Sequence, residues 1–95
     1  MFKSLFSSQS STPSAEKALT ELLETMIGSL VDEPAQVELK RVDGDDDMIN
    51  YELKVAKDDL GKVIGRKGRT ASAMRTILSA AGRKYKVSSD LKILD

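Results

Sequence analysis

Leu60-Gly61-Lys62-Val63-Ile64-Gly65-Arg66-Lys67-Gly68-Arg69-Thr70 is the stretch that decides how the rest of the chain is read. A short apolar helix pattern ends before its second half, a longer one begins after it, and two glycines bracket two cations in between. Glycine lacks the Cβ that would keep the backbone from turning sharply or approaching a ligand closely. The start of a helix carries unpaired N–H groups and partial positive charge, to which Arg66 and Lys67 add full charges. The ligand that suits such a stretch is a phosphate.

The charge of the surrounding chain points the same way. Residues 1–50 carry 4 basic and 10 acidic side chains, a balance of −6, and residues 51–95 carry 11 and 5, a balance of +6, so the net charge of zero hides a strong asymmetry. Within residues 62–86 stand Lys62, Arg66, Lys67, Arg69, Arg75, Arg83, Lys84 and Lys86 with no anion among them. A solvated helix face ordinarily mixes both signs, so this run reads as a one-sided electrostatic footprint around the glycines.

Working outward, Lys57-Asp58-Asp59 opens the short helix, with Asp58 expected at its N-cap and Leu60, Val63 and Ile64 facing inward. Thr70 is expected to cap the longer helix, whose buried stripe reads Ala71, Met74, Ile77, Leu78 and Ala81, with Ala73 and Ala80 beside it and Gly82 weakening the last turn. Upstream, Ile49, Tyr51, Leu53 and Val55 alternate with Asn50, Glu52 and Lys54, the pattern of a half-buried strand, and residues 37–42 form the strand before it. Asp43-Gly44-Asp45-Asp46-Asp47 between them marks a hairpin turn. Its four aspartates lack the spacing and distal glutamate of a calcium loop.

Leu19, Leu22, Leu23, Met26, Ile27, Leu30 and Val31 make one continuous helical stripe, opened by Thr12-Pro13 and stopped by Pro34. Leu91-Lys92-Ile93-Leu94 gives a closing strand. The order is α, β, β, α, α, β in one domain over residues 15–95. Residues 1–14, rich in serine, are expected to be a disordered tail.

Composition excludes several function classes. With no cysteine and no histidine the chain has no disulfide framework, no thiolate metal site and no ordinary general base. Its carboxylates on a turn and lysines on a basic face show no base-and-nucleophile pairing, so neither an enzyme nor a cofactor or metal site is expected. No run approaches the ~20 apolar residues of a membrane span and no secretory h-region is visible, which makes the cytoplasm the expected location. The glycine spacing fits neither a P-loop nor a dinucleotide fingerprint. Of four aromatic residues, Phe2 and Phe6 lie in the tail and Tyr51 on the core side of its strand. Tyr85 alone is left to stack a base, too few for a ring-platform nucleic-acid fold.

In the run Asp59-Leu60-Gly61-Lys62-Val63-Ile64-Gly65-Arg66-Lys67-Gly68-Arg69-Thr70, and in the helix ending Ser29-Leu30-Val31-Asp32-Glu33-Pro34, the sequence resembles the KH RNA-binding family, and within it the small bacterial KhpA proteins. The likeness runs from about Ala15 to Leu94. It implies an α+β fold of type II KH arrangement, with a three-stranded sheet and three helices packed on one face. It also implies a groove for single-stranded RNA, in which Gly65, Arg66, Lys67 and Gly68 clamp the backbone of about four nucleotides. Ile64, with Leu60 and Val63, and then Arg69, Thr70, Ser72 and Ala73 would form one wall, and Leu91 and Ile93 the other. Self-association and a second KH-containing protein are the implied partners, and post-transcriptional regulation or RNA chaperoning the implied role. If Arg66, Lys67, Arg69 and Lys62 each meet a phosphate, the salt slope is about −3.

Two other readings of the same residues stand beside it. Ala71, Ser72, Ala73, Ala80 and Ala81 permit close helix contact and suit a protein-interaction or dimerisation module. Helix, glycine turn and helix also describe a duplex-DNA reader, although the second helix offers alanine, serine and methionine where base-reading polar residues are wanted.

Overall fold

A computed structural model describes residues 15–42 and 48–95. The serine-rich tail, the Thr12-Pro13 helix start and the Asp43-Gly44-Asp45-Asp46-Asp47 turn lie outside the described residues. The stripe begun at Leu19 folds as helix α1, Ala15–Gly28, which buries Leu19, Leu23 and Ile27. The helix ends before Pro34. The N–H groups of Leu30 and Val31 both return to the Ile27 carbonyl, at 2.9 and 3.1 Å, so Val31 stays in the core although the helix has stopped.

A single 3-10 turn at Pro34–Gln36 leads into β1, Glu38–Val42, which pairs antiparallel with β2, Met48–Lys54. Strand β3, Ser88–Ile93, joins the other side of β2 in parallel, giving the order β1-β2-β3. Parallel neighbours need a long crossover. Here it contains α2, Leu60–Ile64, and α3, Arg69–Lys84, with a 3-10 turn at Arg66–Gly68 between them. Among the described residues this is the expected αββααβ order, with three helices and a three-stranded sheet, an α+β arrangement consistent with a type II KH fold.

The register separates the sheet's two faces. Toward the helices stand Leu39 opposite Leu53, and Tyr51 opposite Leu91, with Tyr51, Leu53 and Leu91 all buried. Toward solvent, Glu52 lies between Lys40 and Lys92, and Glu38 faces Lys54, so opposite charges oppose one another across the ladder. Tyr51 carries its hydroxyl into the core and satisfies it there. The hydroxyl shares a 2.8 Å hydrogen bond with Thr20 Oγ1 and donates to the Glu16 carbonyl at 3.1 Å, fastening α1 to the sheet. Burial pushes this phenol up from its ordinary value.

Helix α3 buries a narrower line than its sequence suggests. Ala71, Met74, Leu78 and Gly82 are inside, whereas Ile77 is 47% exposed and Ala81 is half-buried. Its neighbours β3, α1 and α2 cover one side of the helix, and Ile77 falls beyond their reach. Gly82 is no mere weakness in the last turn. A Cβ there would stand 2.7 Å from the Val87 carbonyl oxygen, so the close return of the chain requires glycine. Val87 N–H reaches the Gly82 carbonyl at 3.0 Å and Lys86 N–H the Arg83 carbonyl at 3.1 Å, with Lys86 left-handed at φ 59°: a Schellman closure.

Candidate nucleic-acid interface

Five residues of α2 bring the chain to the glycine turn. Val63 is fully buried and Leu60 and Ile64 half-buried, so α2 packs inward as its pattern requires. Gly65 N–H closes the helix on the Gly61 carbonyl at 2.8 Å. Gly65 then takes φ 78°, ψ 170°, a region open essentially to glycine alone. A Cβ at this position would lie 2.7 Å from Thr70 Cβ and 2.8 Å from Thr70 N, and would also collide with Thr70 Oγ1. Thr70 is therefore not the cap of α3. Gly68 occupies that position without a side-chain cap, and Thr70 packs across the turn against Gly65.

The turn continues through two left-handed residues, Lys67 at φ 57°, ψ 26° and Gly68 at φ 74°, ψ 13°. Gly68 has open space where a Cβ would stand, in contrast to Gly65. A lysine in the left-handed region is uncommon, and strain of this kind gathers where a site needs it. Gly68 N–H is used by the Gly65 carbonyl at 3.0 Å, and Arg69 N–H by the Arg66 carbonyl. The N–H groups of Arg66 and Lys67 have no acceptor among the described residues. Arg66, Lys67 and Arg69 are exposed, and none of them meets a carboxylate among the described residues.

The structure thus brings Gly65, Arg66, Lys67, Gly68 and Arg69 together at the N-terminal end of α3, with Ile64 half-buried below and Ser72 and Ala73 exposed on the helix beyond. Lys62 is not free to join them. Its ammonium is held by Asp32 Oδ2 and, at 3.1 Å, by Asp59 Oδ1. The hydrogen bond to Asp32, then that to Asp59, raises its pKa above the ordinary lysine value. With Lys62 committed, Arg66, Lys67 and Arg69 are the ones left facing outward, and if each met a phosphate the salt slope would be about −2.

The opposite wall also differs from expectation. Leu91 is 1% exposed, so its side chain belongs to the core; Ile93 is half-buried. Leu94 N–H bonds the Leu53 carbonyl at 2.8 Å, and by strand alternation Leu91 turns its backbone to the free edge of β3. Arg75 Nε donates to that Leu91 carbonyl at 3.0 Å. Tyr85 is half-buried, with Lys84 Nζ 5.7 Å from its ring centre.

One buried charge escaped the sequence reading. Asp59 is 1% exposed, the buried charged side chain among the described residues. Its carboxylate accepts the Asp32 N–H at 3.1 Å and the Glu33 N–H at 3.0 Å. The Asp32 bond foremost, with those of Glu33 and Lys62, holds its carboxyl below the usual range against the opposing effect of burial. Its place on the inward face, four residues before Val63, is the signal that marks it in the sequence.

Comparison with known proteins agrees with this architecture. The profile of the family described as KhpA/KhpB, KH domain, matches residues 20–93. The chain is 43% identical over 77 residues to RNA-binding protein KhpA of Chlamydia trachomatis serovar D, which covers 81% of this chain and 97% of that protein. It is 50% identical over 66 residues to RNA-binding protein KhpA of Clostridium acetobutylicum, covering 70% and 87% respectively. With RNA-binding protein KhpA of Borreliella burgdorferi it shares 44% over 75 residues, 79% of this chain and 90% of that one. The strand order, the glycine turn and this likeness converge: the chain belongs to the KhpA/KhpB family of KH domains.

Proposed function

We propose that the chain is a non-catalytic module that binds single-stranded RNA in the cytoplasm, holding the sugar-phosphate backbone in the 65–68 turn. One observation carries the reading: three exposed cations without carboxylate partners among the described residues, and two N–H groups, those of Arg66 and Lys67, without an acceptor among them, gather at a strained turn and the positive end of α3. Cations there gain nothing from the helix dipole, whereas a phosphate satisfies charge and N–H groups together. Arg69 and Thr70 extend the contact, and Ile64, Ser72 and Ala73 line the path beside it. RNA binding by relatives named RNA-binding protein KhpA supports the same reading.

The experiment is the charge-reversed pair Arg66→Asp with Lys67→Asp, titrated against an unstructured oligoribonucleotide. Loss of binding is expected, with the circular dichroism of the folded domain retained; a folded variant of unchanged affinity overturns the reading. Duplex DNA at the same salt serves as competitor, and preference for it over the single strand would favour the helix-turn-helix alternative.

Three contacts make a weak site, so the module acts in pairs or with a second KH-containing protein, in regulation or chaperoning of RNA. Ile77, the large exposed hydrophobic residue among those described, has Ala73 four residues before it and Ala80 three after, on one face of α3. That face suits the contact with a second copy. Sedimentation of Ile77→Lys tests it, the monomer being expected where the unaltered chain is a dimer.

A further inference from the structure

Asp59 stands at the N-cap of α2, where an aspartate ordinarily accepts from the first free N–H groups of its own helix. It makes no such bond. Both oxygens go instead to the backbone of a turn far upstream, Oδ1 to Asp32 N–H and Oδ2 to Glu33 N–H, and Lys62 closes the group by bonding Asp59 and Asp32 together. A carboxylate taken out of water is costly unless hydrogen-bonded and paired, and this one is both. Helix α2 is five residues long, too short to hold its own direction. What directs it is Val63 in the core and this latch onto the segment between α1 and β1. Gly65, the first residue of the turn, follows immediately.

Resting on the reading of the 65–68 turn as an RNA clamp, we propose that Asp59 is a positioning residue of that clamp and that Lys62 is its counter-ion, not a phosphate contact. The latch sets the angle at which α2 delivers Gly65, so the open N–H groups and cations are arranged before RNA arrives, and the ordering cost of binding falls. An ammonium held in the free and bound states alike releases no counterion on binding, so Lys62 adds nothing to the salt slope.

Affinity for a fluorescent, unstructured oligoribonucleotide, measured across a salt series, tests this with four variants. Asp59→Asn is expected to weaken binding about tenfold with its slope unchanged. Ile49→Val, a core change remote from the latch, is expected to leave affinity intact. Lys62→Gln is expected to keep the slope near −2, and Asp32→Asn to give no gain in affinity. Equal losses in Asp59→Asn and Ile49→Val, or wild-type binding by Asp59→Asn, would show an ordinary stability effect and overturn the proposal. A slope shallower by about 0.7 in Lys62→Gln, or tighter binding by Asp32→Asn, would make Lys62 a phosphate contact and overturn it equally. The two lysine-centred variants decide the matter if Asp59→Asn fails to fold. Persistence of binding in the Arg66→Asp, Lys67→Asp pair would instead remove the clamp itself, a failure separate from those of the latch.

Discussion

The two ends of α3 are built from the same ingredients and use them differently. At the C-terminal end stand Arg83, Lys84 and Lys86, a close-packed Gly82 and a left-handed Lys86; at the N-terminal end stand Arg66, Lys67 and Arg69, a close-packed Gly65 and a left-handed Lys67. At the C-terminus the fold accounts for everything. The left-handed residue closes the Schellman motif, and the cations meet the negative end of the helix dipole, a favourable arrangement worth about 0.3–1 kcal/mol each. At the N-terminus the same charges meet the positive end, and two N–H groups have no acceptor among the described residues. Strain and charge that stability does not explain are what separate a site from a helix cap.

The sharpest test of the comparison is Gly65→Ala, which meets both a glycine-only backbone and the Thr70 backbone, and should cost about 3 kcal/mol in urea unfolding. Gly82→Ala should cost less, about 2 kcal/mol, because its clash is with one carbonyl oxygen and its backbone is not left-handed. Next come Lys67→Gly and Lys86→Gly, which relieve similar strain and should each stabilise by about 0.5–1 kcal/mol. They should part in RNA titration: Lys67→Gly loses about 0.7 of salt slope and Lys86→Gly keeps it. Equal slopes would erase the distinction between the two ends. Smallest is the dipole effect. Arg69→Glu should stabilise by about 0.5 kcal/mol and Lys84→Glu destabilise by about the same, both differences fading in 1 M salt.

Elements with a long apolar period were legible in the sequence, because a stripe such as Leu19, Leu23 and Ile27 has one face to bury whatever it meets. The 65–68 turn was legible for the same local reason, two glycines and a change of helix. What escaped depends on partners distant in the chain. Lys62 looked like its neighbours Arg66 and Lys67 until Asp32 came within reach, and Asp58 was the expected N-cap of α2, a position that Asp59 occupies instead. Ile77 fits the α3 period as well as Leu78 does, and only the width of the cover separates them. Thr70 is a good cap by type, but the left-handed Gly68 had already filled the position.

The parallel pairing of β2 with β3 has a kinetic consequence for the 65–68 turn. Val42 meets Asn50 across a short connection, but Met48 must find Ser88, and the whole of α2, the turn and α3 lies inside that loop. Closing a long loop precedes any reward from the contacts it makes, so the hairpin of β1 and β2 assembles quickly and the β3 pairing sets the pace. The 65–68 turn is thus framed by the slowest contact in the domain. A substitution in β3 such as Leu91→Ala, far from any phosphate, would lengthen the time the chain spends without a competent turn.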